Sequence, residues 1–260
     1  MDKQGSLFSS TTTVNRPWHK KRYFDPSSAE PFELSRTKIE LFTRCPRCFY
    51  LDRRAGVEIP RGPAFTLNSA VDTLLKKEFD IYRDKQAPHP LMISYKIDAV
   101  PFQHPSMDEW RKNFVGVRYL DKPTNLLVFG AVDDIWQNRD KTLSVVDYKS
   151  TATEKELTLD DEWKDSYKRQ MEIYQWLLEK NGFSVSCTGY FVFVNGQTGR
   201  DSFNNKLEFE MAILPYEGKR DWMSGTLLEI KDCLMADKIP AASPQCEYCQ
   251  YREKAKNSGA

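Results

Sequence analysis

The sequence has no apolar run approaching the roughly 20 residues that a membrane-spanning helix needs. Its first residues carry no apolar core of the kind that directs secretion, so a cytoplasmic protein is expected. It also lacks net charge: 38 Lys and Arg against 37 Asp and Glu leave +1. No global field marks it as a nucleic-acid binder, and any such binding must use a local patch. No segment repeats along the chain, which excludes a repeat array. What is present is ordinary for a globular enzyme: 260 residues, 40% hydrophobic and 29% charged, enough for one large domain. Six cysteines in a cytoplasmic protein argue for metal ligation before disulfides.

Residues 1–32 are rich in Ser, Thr, Pro and Lys without a period and read as a flexible arm. Its one dense spot is Trp18-His19-Lys20-Lys21-Arg22-Tyr23, basic with flanking aromatics. A single domain is expected over 33–255. Ser35 is the N-cap of a helix through Ile39, Leu41 and Phe42, which Pro46 ends or bends. Leu67 to Arg83 reads as an amphipathic helix, with Leu67, Val71, Leu74, Leu75, Phe79 and Tyr82 on its stripe. Four prolines punctuate 85–105, with an extended piece near Met92 to Ile97, and Asp108 to Phe114 is a short helix. Asp160 to Lys180 is a helix with Gly182 at its C′ position. Cys187 to Asn195 and Lys206 to Leu214 are strands, and Trp222 to Met235 is a helix. Pro240 ends the regular structure, and 256–260 is a tail. Strands bracketed by helices give an α/β fold with a mixed central sheet.

The chain is organised around Gly130 to Thr151, a β-hairpin with a polar turn at Gln137 to Lys141. Side chains alternate along a strand, so Val145, Asp147 and Lys149 share one face while Val146 and Tyr148 point to the other. Asp133, Asp147 and Lys149 then converge at the open end of the hairpin. Two carboxylates suit a hard cation such as Mg²⁺ or Mn²⁺, and an ammonium beside them can orient a water or meet a phosphate oxygen. Asp134 should face the other way. Gln170 and Tyr174, four apart, share a helix face that can look over this end.

Cys45 and Cys48, then Cys246 and Cys249, form two Cys-x-x-Cys knuckles with the spacing of a tetrahedral zinc site or an iron–sulfur cluster. A metal there would be a clasp between the two ends of the domain, closing a long loop. Cys187 and Cys233 read as core residues.

Gly130-x-x-Asp133, Asp147-x-Lys149 and Gln170-x-x-x-Tyr174, in this order, resemble the PD-(D/E)XK nuclease superfamily. The match is to its RecB-like branch, which includes the exonucleases of CRISPR adaptation. Ser35 to Leu51 resembles the opening helix of that branch, and Cys246-x-x-Cys249-x-Tyr251 its closing cysteine cluster. The resemblance implies a restriction-endonuclease-like core and a Mg²⁺-dependent, exonuclease-like DNA nuclease of repair, recombination or CRISPR-type processing, acting on single strands or free ends. It implies Asp133, Asp147 and the Tyr148 carbonyl as metal ligands, and Lys149 as the residue positioning the attacking water. Gln170 and Tyr174 would support the site and contact the substrate strand. Two positions depart from the pattern. Asn68 and Asp72 stand where the family carries Gly and a metal-binding His, so Asp72 is the candidate ligand, with Glu78 as fallback. The family's iron–sulfur members use one early cysteine and three late ones; here the last late position is Ala255, while Cys48 is extra. Zinc and [4Fe–4S] both remain open. The alternative reading is a weakened or inactive nucleic-acid-binding member of the fold. A third is a metal-clasped interaction protein. Lys164, Lys168, Arg169, Arg44, Arg47, Arg53 and Arg54 are candidates for phosphate contacts, and Trp163 and Tyr167 for base stacking.

Overall fold

The computed structural model describes residues 23–60, 62, 63 and 65–258. The basic spot at Trp18 to Arg22, and most of the expected arm, lie outside the described residues. From Phe24 the chain is docked: its ring is buried edge-on against Phe32 and its N–H donates to the Arg53 carbonyl.

The elements run β1 (Phe32–Ser35), α1 (Arg36–Arg44), α2 (Pro46–Arg53), α3 (Thr66–Lys85), α4 (Pro90–Ser94), β2 (Ala99–Pro101), α5 (Met107–Trp110), β3 (Val117–Asp121) and β4 (Leu126–Gly130). They continue as β5 (Asp134–Asn138), β6 (Leu143–Thr151), α6 (Asp165–Lys180), β7 (Thr188–Gly196), β8 (Phe209–Glu217), α7 (Trp222–Met235) and α8 (Glu247–Asn257). The expected mixed α/β architecture is observed. One sheet has five strands in the order β2-β5-β6-β7-β8, and a smaller one has the order β1-β4-β3. β5 and β6 form the antiparallel hairpin, with Asp134 opposite Val146 and Ile135 opposite Val145. β6 and β7 are parallel, joined by the α6 crossover.

Alternation along β6 builds the layers. Leu143 and Val145 join the core that α6 supplies through Met171, Ile173 and Leu177. Val146 and Tyr148 face the opposite layer, with Val71, Leu75 and Phe79 of α3. The hairpin is therefore clamped between two helices. Gly182, at φ +88°, follows α6. The Gly182 and Phe183 N–H groups donate to the Glu179 and Leu178 carbonyls, a Schellman ending.

Several expectations are corrected. Residues 90–94 form α4 instead of an extended piece, because Pro90 fits the first helical turn and the His89 ring accepts from the Leu91 N–H at 3.1 Å. Regular structure continues past Pro240 into α8. Cys187 is exposed, since pairing of β7 starts one residue later. The α3 stripe is narrower than its period suggests: Val71, Leu75 and Phe79 are buried while Leu67 and Leu74 are exposed. Among the described residues no helix is long and apolar enough to cross a membrane.

Candidate active site and four-cysteine centre

Period-two alternation puts Asp147 and Lys149 of β6 on the face covered by α6. Asp133 sits one residue before β5, and its Oδ2 accepts from the Tyr148 N–H at 3.0 Å. The helical spacing of α6 brings Gln170 and Tyr174 over the same point. Gln170 Nε2 donates to Asp147 Oδ1 at 2.6 Å and to the Tyr174 hydroxyl at 3.2 Å. Lys149 Nζ is ion-paired with Asp147 Oδ2, donates to Gln170 Oε1 at 3.4 Å, and stands 4.4 Å from the centre of the Tyr167 ring. Gly130 makes room for this packing: a Cβ there would lie 2.6 Å from Tyr174 Cε1. The structure thus brings together Asp133, Asp147, Lys149, Gln170 and Tyr174.

The electrostatics follow from burial. Asp147 is pushed up to about 6 by loss of solvent, with Lys149 pulling it down and Asp133 pushing it further up. Burial works against the Lys149 ammonium, but Asp147 and Asp133 outweigh it and hold its pKa above the usual range. Burial also raises the Tyr174 phenol. Arg36, at the start of α1, adds positive charge near Asp147 and Tyr174; nothing in its local sequence signals this. Clustered carboxylates in a low-dielectric site form a donor set that a hard divalent cation fits.

Asp72 is also near. It is raised by burial and by the charge of Asp133. Its Oδ2 accepts from Lys76 Nζ at 2.8 Å, and the same ammonium reaches Asp133 Oδ1 at 3.2 Å. Glu78 instead pairs with His89 Nε2 at 2.9 Å.

The opposite face of the hairpin carries a buried network that sequence reasoning missed. Asp134 accepts from Arg83, from Arg111 at 3.1 Å and from the Tyr148 hydroxyl at 2.8 Å. Asp80 receives both arginines as well. Arg111 Nε also donates to the Asp133 carbonyl at 3.1 Å. This network pins the backbone from which Asp133 projects. The only available signal was the alternation that turns Asp134 away from Asp147.

Each cysteine pair opens a helix. Cys45 is the N-cap of α2 and Cys246 the N-cap of α8, and Cys48 and Cys249 fall three residues later in the first turns. That shared geometry presents each pair on one side. The sulfurs of Cys48 lie 3.5 Å from those of both Cys246 and Cys249, and Cys45 and Cys249 are 3.9 Å apart. All four sulfurs lie within 4.8 Å of one another. Burial raises the Cys48 and Cys249 thiols. Burial also disfavours the Cys45 thiolate, but backbone N–H donors from Ser243 and Cys48 outweigh it and bring its pKa down to about 6. Four soft donors, buried together, fit zinc or an iron–sulfur group.

Most of the basic candidates are already engaged. Arg169 forks onto Glu40 through two bonds of 2.8 Å, Lys168 pairs with Asp165 and Lys164 with Asp161. Arg53 is buried against Asp52 and Glu58. Arg44 is exposed and Arg47 and Arg54 are half-buried. Trp163 is 61% exposed and packs edge-on to the half-buried Tyr167.

A model of the PD-(D/E)XK nuclease superfamily matches residues 68–253, which include every carboxylate and lysine of the site. No curated protein matches the chain by sequence. A solved structure titled "Crystal structure of SSO0001" aligns over 91% of this chain and 89% of its own, at 15% identity and a TM-score of 0.41, too low to bear on chemistry. Members of the matched superfamily are usually metal-dependent nucleases acting on nucleic acid. The family match spans most of the chain and contains the hairpin, the α6 pair and the second cysteine knuckle, so the chain belongs to the PD-(D/E)XK nuclease superfamily.

Proposed function

We propose that the chain is a Mg²⁺-dependent nuclease of the RecB-like branch that hydrolyses phosphodiester bonds in DNA, acting on single strands or free ends. The observation that carries this reading is the meeting of Asp133, Asp147 and Lys149 at one end of the hairpin beneath Gln170. Asp133, Asp147 and the Tyr148 carbonyl would hold the divalent ion, with Asp72 as a further ligand. When bound, that ion supplies charge neutralisation on the phosphate and lowers the pKa of a water. The protein's own residues do the rest. Gln170 fixes the Asp147 carboxylate through Oδ1 and is itself set by Tyr174. Lys149, held charged, orients the attacking water and offers an N–H to a phosphate oxygen. The Tyr167 ring lies against the Lys149 ammonium, 4.4 Å from ring centre to Nζ.

The four-cysteine centre serves as a structural clasp, and zinc is the better fit. A single zinc with Zn–S near 2.3 Å has a tetrahedral sulfur–sulfur edge of about 3.8 Å. Three of the sulfur–sulfur distances, 3.5, 3.5 and 3.9 Å, bracket that value, and the remaining pairs lie within 4.8 Å. A four-iron cluster seats each thiolate on a different iron and spreads the sulfurs further apart.

A second reading, a binding member without cleavage, draws on Asp72 at the His position and its pairing with Lys76. Incubating the purified chain with end-labelled single- and double-stranded DNA, with Mg²⁺ or with EDTA, separates the two. Cleavage that needs Mg²⁺ and is lost in Asp147→Asn supports the enzyme. Binding in EDTA with no cleavage in Mg²⁺ or Mn²⁺ supports the second reading.

A further inference from the structure

The site contains a lysine that the motif does not account for. Lys76 lies one turn after Asp72 on α3, so both side chains leave the same helix face. Its ammonium bridges Asp72 Oδ2 at 2.8 Å and Asp133 Oδ1 at 3.2 Å, with its side chain 20% exposed. Lys149 covers Asp147 in the same way. Every carboxylate that would bind the divalent ion is therefore already paired with an ammonium. Three carboxylates against two ammoniums leave little net negative charge to attract a cation. A divalent ion on Asp133 would also sit beside a like charge on the same carboxylate.

The two lysines differ in how they are held. Lys149 is enclosed by Asp147, Gln170 and Tyr167. Among the described residues the Lys76 ammonium pairs with the Asp72 and Asp133 carboxylates, its side chain keeps a path to solvent, and its flexible stem can change rotamer. Resting on the metal-dependent reading above, we propose that Lys76 is a resident counter-cation that competes with the divalent ion for Asp133 and Asp72. It must swing away for the ion to bind, and so it sets the metal affinity of the site. In the ion's absence its charge offsets that of the Asp72 and Asp133 carboxylates.

The test is Mn²⁺ binding to the full chain at neutral pH, followed by electron paramagnetic resonance and calorimetry. Lys76→Met and Lys76→Gln are compared with wild type, each with and without Asp133→Asn. Both single variants should bind Mn²⁺ about tenfold tighter or more, about 1.4 kcal/mol, and Asp133→Asn should abolish the gain. If Lys76→Met does not fold, Lys76→Gln, which keeps a polar tip for Asp72, decides the matter. Wild-type or weaker affinity in the variants, with binding still dependent on Asp133, overturns the competition while leaving the metal site standing. If no chain binds Mn²⁺, the metal-dependent reading itself falls, and this proposal with it.

Discussion

Replacing Lys149 by Met keeps the bulk of its stem and removes its charge, which separates chemistry from folding. Asp147 has no solvent exposure and is already pushed up to about 6 by burial, even with the ammonium beside it. Without that ammonium its pKa rises further, and at pH 7 the folded protein takes up a proton there. Protonation limits the damage. An unpaired buried charge would cost about 3–5 kcal/mol. Neutralising Asp147 from a pKa near 6 at pH 7 spans one unit, about 1–2 kcal/mol. Lys149→Met should therefore unfold in urea at pH 7 with a loss of about 2 kcal/mol or less. The deficit should grow as pH rises from 6, because the wild type is ionised there while the variant still holds its proton. Mg²⁺-dependent cleavage of end-labelled DNA should vanish. A loss of 3–5 kcal/mol would mean that Asp147 stays ionised and the pairing argument is wrong. Undiminished cleavage would remove Lys149 from the mechanism.

Asp147 gives a second test in metal-free buffer. Its folded pKa lies above the ordinary 3.8, so its contribution to stability is fully present below about pH 4 and is lost as pH rises towards 6. The stability of Asp147→Asn relative to the wild type should rise across that window and level off above it; parallel urea midpoints from pH 4 to 7 would contradict this. Cys48→Ser, or a strong chelator, should lower metal content, and hydrogen exchange should speed up in α8. Cys48 and Cys249 are 201 residues apart, and opening a loop of that size releases about 5 kcal/mol of closure entropy to the unfolded chain. Full metal occupancy in Cys48→Ser would show that Cys48 is no ligand. Gly130→Ala should destabilise by about 1–3 kcal/mol, because its Cβ would meet Tyr174 at 2.6 Å. Cleavage should fall with it as Gln170 loses its Tyr174 contact, and wild-type activity would show that Tyr174 does not help set Gln170.

Local periodicity made much of this site readable in the chain. Alternation along β6 set Asp147 and Lys149 on one face and Tyr148 on the other, and a spacing of four set Gln170 beside Tyr174, because both rules act within a few residues of backbone. The Cys-x-x-Cys spacing likewise marked two metal-ready knuckles before anything placed them together. What local pattern does not encode is which distant segments meet. The β1-β4-β3 sheet depends on a parallel pairing between residues almost a hundred positions apart. The apposition of α2 and α8, which joins the knuckles, is of the same long-range kind. Arg111 and Arg83 carry no motif, and they matter only because folding buries Asp134 between them. Lys76 reads as one more charge on an amphipathic helix until α3 lies against β6. The sequence by itself determined which groups could bind a cation and which way each faces along its own element. Tertiary packing alone decided which of these distant charges come within hydrogen-bond reach of one another, since that proximity rests on desolvation and on contacts closed across the whole chain.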